Sequence, residues 1–370
     1  MNPDPAIVHV TESLSRLGGV ESVLLHMLET DKTSVALAIL DAPSQHKENI
    51  IGLRRNKLCG VRSIRKSAKS LGYYGKPTIY HNFAGVSILQ DFIGASPSIL
   101  FLHTDSPDIF RLLDRRLGSF DGIIASGEDL RKSVSRQIVG HGIPTIGVQY
   151  PIPSAFYAGR AREAGSPIKI GYSGRLAREQ KQCLRLIEFV EVLAGMEVEF
   201  EIEIAGGGEC EDELRRRLPG KLTKFLGILS GNDLARSYLS WDFIIVTSDY
   251  ETGPLVAMEA MASGTIPILP DIPCQAVRLL PASLPKYAVG DMKSAASIVA
   301  KIVHSEEIEL LSPKMQMLVS ERGIATFQGV ISDFVSSLGH VNLSRRLPRK
   351  AQLSDFIPFA ALNNLEDKIR

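Results

Sequence analysis

At 370 residues the chain is long for one core, and 44% hydrophobic with 22% charged residues is enough apolar material for two. A net charge of +1 provides no whole-molecule field for nucleic acid, so no nucleic-acid partner is expected. The four cysteines, Cys59, Cys183, Cys210 and Cys274, form no C-x-x-C pair, which argues against a disulfide framework or a zinc site and fits a reducing compartment.

The amino terminus, MNPDPAIVHV, shows no basic stretch ahead of an apolar core, so no signal peptide is expected. No apolar run approaches the ~18 residues of a spanning helix. A cytoplasmic protein is expected, with peripheral attachment at the inner face of a membrane left open. Short β-rich runs then follow in order: AIVHV near 6, SVALAIL near 34, TIYHNF near 78, SILFLHT near 98, GIIASG near 122 and TIGVQY near 145. A second set comprises IKIGYSG at 168, FEIEIAG at 200, DFIIVTS at 242 and TIPILP at 265. Helical patterns lie between them, and such alternation predicts α/β architecture with parallel sheets covered on both faces. The proline- and glycine-rich stretch around 151–167 reads as a linker between two doubly wound halves, spanning 1–150 and 168–320. Ligands of such sheets bind at the carboxyl ends of strands, so two halves facing one another would make a deep cleft. In MEVEFEIEIAG the glutamates 197, 199, 201 and 203 alternate with apolar residues, which predicts one wet face.

Candidate chemistry also runs in chain order. Gly18 and Gly19 follow the first strand, where glycine admits close approach of a phosphate or sugar, or simply makes a tight turn. Residues 53–76 carry eight cations and no acid. Leu58, Val61, Ile64, Ala68 and Leu71 recur at helical spacing, placing Arg62, Arg65, Lys66 and Lys69 on the opposite face. That face suits an anionic membrane surface or a pyrophosphate-linked acceptor, unless it is an ordinary solvated helix face. His103 ends the strand SILFLHT, with His81 a competing candidate from IYHNF. AGGGECEDE fails as a dinucleotide loop because Glu211 stands where G-x-G-x-x-G needs glycine.

The stretch DYETGPLVAMEAMASGTIPIL sets Glu251 on a loop and Glu259 inside a helix that starts at Pro254 and stops at Ser263-Gly264. Amides around Thr252, Gly253 and Leu255 form a helix amino-terminal anion site. Glu259 lies among Leu255, Val256, Met258, Ala260 and Met261, where an unpaired carboxylate is costly. A cis-diol donating to both carboxylate oxygens is a fitting partner; a salt bridge to a local arginine or a neighbouring cap is the alternative.

E-x7-E followed by AMASGTIPI resembles the signature of retaining glycosyltransferases of the GT-B fold, family 4. GGVES at 18–22, YSGRLAREQK at 172–181, EIAGGGE at 203–209 and the segment 225–248 resemble further family segments in the same order, over about residues 6–335. The resemblance implies two Rossmann-like domains facing a cleft, a carboxyl-terminal helix at 321–340 crossing back, and a basic tail at 341–370. It implies that Glu259 holds the ribose of a nucleotide-sugar donor, that Glu251 holds sugar hydroxyls, and that Arg175 and Lys181 bind the pyrophosphate. His103 would contact the donor sugar. No metal cofactor is implied, and the chain has no D-x-D motif. The acceptor would be a glycan or lipid-linked glycan in cell-surface polysaccharide assembly. Thr252 stands where the family usually has glycine, and YPIPSAFY replaces the usual N-G-[VI]-D run. A nucleotide-sugar epimerase or hydrolase, and a non-catalytic nucleotide-sugar-binding module, remain the alternatives.

Overall fold

The structure is a computed structural model. It describes residues 5–14, 19–41, 48–53, 61–93, 96–104, 107–159, 166–251 and 255–339. Contacts divide the chain into two compact units, one of 1–150 with 324–370 and one of 151–323.

The first unit holds a seven-stranded parallel sheet of β1 (Val8–Ser13), β2 (Val35–Asp41), β3 (Ile50–Gly52), β4 (Thr78–His81), β5 (Ser98–Leu102), β6 (Gly122–Ser126) and β7 (Thr145–Val148). Its order is β3-β2-β1-β4-β5-β6-β7, so the winding reverses between β1 and β4. The connecting helices are α1 (Gly19–Thr30), α2 (Val61–Ser70), α3 (Val86–Ile93), α4 (Pro107–Arg116) and α5 (Glu128–Gln137). Val35, Leu37 and Ile39 of β2 face one core while Ala36 and Ala38 face another. Burial on both faces explains why these strands read as continuous apolar runs.

The second unit holds a five-stranded parallel sheet of β8 (Ile168–Ser173), β9 (Phe200–Ala205), β10 (Thr223–Gly227), β11 (Phe243–Ile245) and β12 (Ile266–Ile268), in the order β10-β9-β8-β11-β12. Its helices are α6 (Arg185–Ala194), α7 (Glu211–Arg217), α8 (Gly231–Ser240), α9 (Leu255–Ala262), α10 (Gln275–Leu279), α11 (Met292–His304) and α12 (Ile308–Met317). The last helix, α13 (Ile324–Ser337), packs in the first unit, where Gln328 Nε2 donates to the Met27 carbonyl at 3.0 Å and to Thr30 Oγ1 at 2.9 Å. Both units are doubly wound α/β sheets, the architecture that the strand–helix alternation predicts. Among the described residues no helix is long and apolar enough to cross a membrane.

The alternating glutamates of β9 depart from a uniformly wet face. Glu201 is exposed, but Glu203 is buried, accepting from Trp241 Nε1 at 2.9 Å and pairing with Lys224 Nζ at 3.1 Å. Two donors make that carboxylate tolerable inside. Beside it, Gly171 of β8 lies under the only tryptophan of the chain. A Cβ there would fall 2.0 Å from Trp241 Cε3, so the indole occupies the space a side chain would need. Gly171→Ala is expected to cost about 1–3 kcal/mol of stability, the usual cost of overpacking, and so to lower the urea midpoint. Emission of Trp241 reads the transition, and an unchanged midpoint would contradict the packing described.

Candidate functional site

In the second unit the winding reverses between β8 and β11, which pair in parallel through Phe243 with Ile170 and Ile244 with Gly171. The loops leaving these two strands therefore emerge side by side, at the edge where open α/β sheets bind ligands. Lys181, from the loop after β8, reaches Glu251, from the loop after β11, with Nζ 2.6 Å from Oε1. Ser248 Oγ donates to the same oxygen at 2.7 Å. Glu251 keeps only 8% of its side chain exposed and Lys181 19%, so solvent screens this pair weakly. Behind it, Arg185 Nη1 lies 2.7 Å from Asp249 Oδ1 and donates to the Thr247 carbonyl at 2.8 Å. Gln182 Nε2 donates to Asp249 Oδ2 at 2.7 Å, and Thr247 Oγ1 to the Lys181 carbonyl at 2.6 Å. Arg175 is exposed, donates to Gln180 Oε1 at 3.2 Å, and has no acidic partner among the described residues.

The AGGGE run has a plain structural use. A Cβ on Gly206 would lie 1.9 Å from the Gly174 carbonyl oxygen, and one on Gly208 2.5 Å from that of Leu176. Only glycine lets the loops after β8 and β9 join backbone to backbone, as in Leu176 N–H to the Gly207 carbonyl at 3.0 Å.

Helix α9 carries Glu259 and ends in a Schellman arrangement, with Gly264 at φ +75°, Thr265 N–H on the Ala260 carbonyl at 2.9 Å and Gly264 N–H on that of Met261 at 3.0 Å. The Glu259 side chain is part-buried, and no cation pairs with it among the described residues. Loss of water pushes its pKa up to about 7, against a smaller lowering by the Tyr238 hydroxyl. Tyr238 is within electrostatic reach yet its hydroxyl makes no hydrogen bond of ordinary length, and its own pKa is pushed well up by burial and by Glu259. Glu251 and Glu259 thus differ in kind: one is held by a lysine and a serine, the other has the Tyr238 hydroxyl within reach and no cation among the described residues.

The other expected residues fall as follows. Gly18, Thr252 and Gly253 lie outside the described residues, as does the tail from 340. Gly19 opens α1 and Leu255 opens α9. Arg62, Lys66 and Lys69 are exposed on α2, but Arg65 is not with them. It is buried, with Nε donating to the Ile88 carbonyl at 3.1 Å, because position 65 shares the helix face of Ile64 and Ala68 against α3. His103, expected to face a sugar, is buried with both ring nitrogens engaged inside its unit, Nε2 by His81 at 2.8 Å and Nδ1 by the Tyr150 hydroxyl. Missed from the sequence were Ser248, Arg185, Asp249 and Tyr238, all polar residues at or near the two strand ends. A polar residue closing an apolar strand was the available signal, visible in IIVTSD.

Residues 157–314 match the family described as Glycosyl transferases group 1. A GDP-mannose-dependent alpha-mannosyltransferase of Mycolicibacterium smegmatis is 36% identical over 107 residues, 29% of this chain and 26% of that protein. Mannosylfructose-phosphate synthase of Agrobacterium fabrum is 35% identical over 104 residues, 25% of this chain and 23% of that protein. The matches thus span about a quarter of the length of these relatives. Among solved structures, Anabaena Alr3699/HepE in complex with UDP and glucose superposes with a TM-score of 0.71 at 15% identity, covering 90% of this chain and 99% of that one. Sucrose-phosphate synthase from Thermosynechococcus elongatus gives 0.70 at 14% identity with the same coverage. At such identities the likeness shows the fold alone.

Glu259 also sets a pH dependence. The unfolded chain ionises this carboxyl near its ordinary 4.5, whereas the fold holds the proton up to about 7. Between those values the native state binds the extra proton, so stability falls as pH rises through the window and levels off above it. Glu259→Gln is expected to remove that slope, raising stability at pH 8 by on the order of 2 kcal/mol, read as a higher denaturation midpoint, while changing little at pH 5. Parallel pH profiles of both proteins would show no divergence if the carboxyl were not desolvated.

Proposed function

We propose that this chain, a glycosyl transferases group 1 protein of GT-B fold, is a retaining, metal-independent glycosyltransferase using a nucleoside-diphosphate sugar. The observation that carries this reading is that the loop and helix after β11 hold two carboxylates of different kind, Glu251 paired with Lys181 and Glu259 desolvated on α9. Glu259 takes the two ribose hydroxyls, whose paired donors supply what the apolar helix withholds. Lys181 commits one of its three N–H donors to Glu251 and turns the others, with Arg175, to the pyrophosphate that gathers charge as it leaves. Glu251, fixed by Lys181 and Ser248, orients the donor sugar's hydroxyls. Backbone amides around Leu255, where α9 begins, face the donor phosphates. The acceptor hydroxyl attacks on the face from which the phosphate departs, the new C–O bond forming as the old one breaks, and its proton passes to the leaving phosphate oxygen. The acceptor is a glycan or lipid-linked glycan of cell-surface polysaccharide assembly. Arg62, Lys66 and Lys69, exposed on one helix, attract an anionic membrane surface that presents it.

Binding of a hydroxyl pair favours ionised Glu259, so nucleotide affinity is expected to rise about tenfold between pH 6 and pH 8. Glu259→Ala abolishes that slope and weakens donor binding in calorimetry, whereas Glu251→Ala lowers kcat more than it raises KM. Wild-type transfer rates in both variants would remove the site assignment. Co-sedimentation with vesicles containing anionic lipid, but not with neutral ones, is expected for the wild type and reduced by Lys66→Glu with Lys69→Glu. Equal sedimentation with both vesicle types would remove the membrane reading.

A further inference from the structure

The loop after β8 bends sharply on both sides of Lys181. Among the described residues five that are not glycine have positive φ, and two of these are Gln180 at +60° and Gln182 at +47°. A side chain crowds its own backbone in this region, so such residues persist only where their surroundings hold them. Lys181 N–H bonds to the Glu179 carbonyl at 2.6 Å across Gln180, closing the strained form of the γ-turn. The loop after β11 does the holding. Asp249 N–H donates to the Gln180 carbonyl at 2.9 Å, Thr247 Oγ1 to that of Lys181 at 2.6 Å, and Gln182 Nε2 to Asp249 Oδ2 at 2.7 Å. The bend brings Lys181 back over the end of β8. Its Cε lies 4.0 Å from the point where a Cβ on Gly174 would stand, one residue before Arg175.

The Gln180 side chain reaches the second cation of this edge. Its Oε1 accepts from Arg175 Nη2 at 3.2 Å, and its Nε2 donates to the Tyr250 carbonyl at 3.3 Å. An arginine only donates and a carbonyl only accepts, so a primary amide is the side-chain group that satisfies both at once. A carboxylate in its place would set oxygen against the Tyr250 carbonyl and cancel the charge of Arg175. The neutral amide steers the guanidinium and leaves its charge uncancelled. Arg175 has no acidic partner among the described residues, and Lys181 gives Glu251 only one of its three N–H donors. Gln180 thus adjoins both cations, next to one in the chain and hydrogen-bonded to the other.

We propose that Gln180 is a positioning residue that sets the spacing of Arg175 and Lys181, its turn aiming the lysine and its amide holding the arginine, so that one diphosphate group meets both charges. The identity of that anion rests on the glycosyltransferase reading, in which Arg175 and Lys181 take the donor's pyrophosphate. Gln180 acts through Arg175 and touches no substrate.

Calorimetry of the full chain with inorganic pyrophosphate tests it. Arg175→Met and Lys181→Met are each expected to weaken binding, as the reading of the two cations requires. Gln180→Glu is expected to weaken it about fivefold at low ionic strength and less at high salt, because the new carboxylate pairs with Arg175. Gln180→Gly keeps the turn, since glycine takes positive φ freely, and removes the amide, with an expected loss of about threefold. With Arg175→Met already present, Gln180→Gly is expected to cost nothing further, a coupling that a general loosening of the loop would not show. Wild-type affinity in both Gln180 variants, or an equal loss from Gln180→Gly with and without Arg175, would overturn the proposal and leave the two-cation reading intact. Wild-type affinity in Arg175→Met and Lys181→Met, or no pyrophosphate binding by the wild type, would remove that reading and the proposal together.

Discussion

The pairing of Lys181 with Glu251 is the contact on which the second unit's site depends. It exists only because β8 and β11 are parallel neighbours although 69 residues separate Ser173 from Phe243, so that their exits share one edge. A carboxylate with so little exposed surface would be expensive alone, and the lysine and Ser248 together make it tolerable. The same contact ties the loop after β8 to the loop after β11, and Arg185 with Asp249 repeats the tie one layer below. Two cross-links of this kind hold the loops at a fixed spacing before any ligand arrives, which is what preorganised electrostatic stabilisation requires.

Glu251 and Glu259 illustrate how one residue type acquires two characters from its surroundings. The first is ion-paired and hydrogen-bonded. The second sits on a helix of alanine, leucine, valine and methionine, with a tyrosine but no cation beside it among the described residues, and burial raises its pKa to about 7. A protein keeping such a group forgoes stability above neutral pH. In the proposed function a ligand's hydroxyl donors would recover that cost, which would set stability of the free protein against affinity at this one position.

The first unit confronts the same problem with neutral groups. Three imidazoles inside a fully covered parallel sheet would each leave a nitrogen unsatisfied if they stood apart. Placed in line, as His9, His81 and His103 are, they satisfy one another.

The alternation of short apolar runs with helical patterns was sufficient to specify two doubly wound α/β units, because burial on both faces leaves an unmistakable mark on each strand. The E-x7-E stretch with its AMASG tail likewise identified which loop and which helix carry carboxylates, since an acid amid alanine, methionine and leucine is conspicuous in one dimension. Partnership was not legible. Nothing in the chain order says that Lys181 meets Glu251, that Arg65 turns inward with Ile64 and Ala68, or that Glu203 is covered by Trp241 and Lys224. His9, His81 and His103 were each visible as a histidine in an apolar strand, yet only the register of β1, β4 and β5 brings them into line. Periodicity is a local property, written by the solvent each residue faces, and the sequence records it directly. Which side chains meet across parallel strands depends on the winding order of the sheet, so that the ionisation of Glu259 and the engagement of His103 were decided by tertiary structure alone.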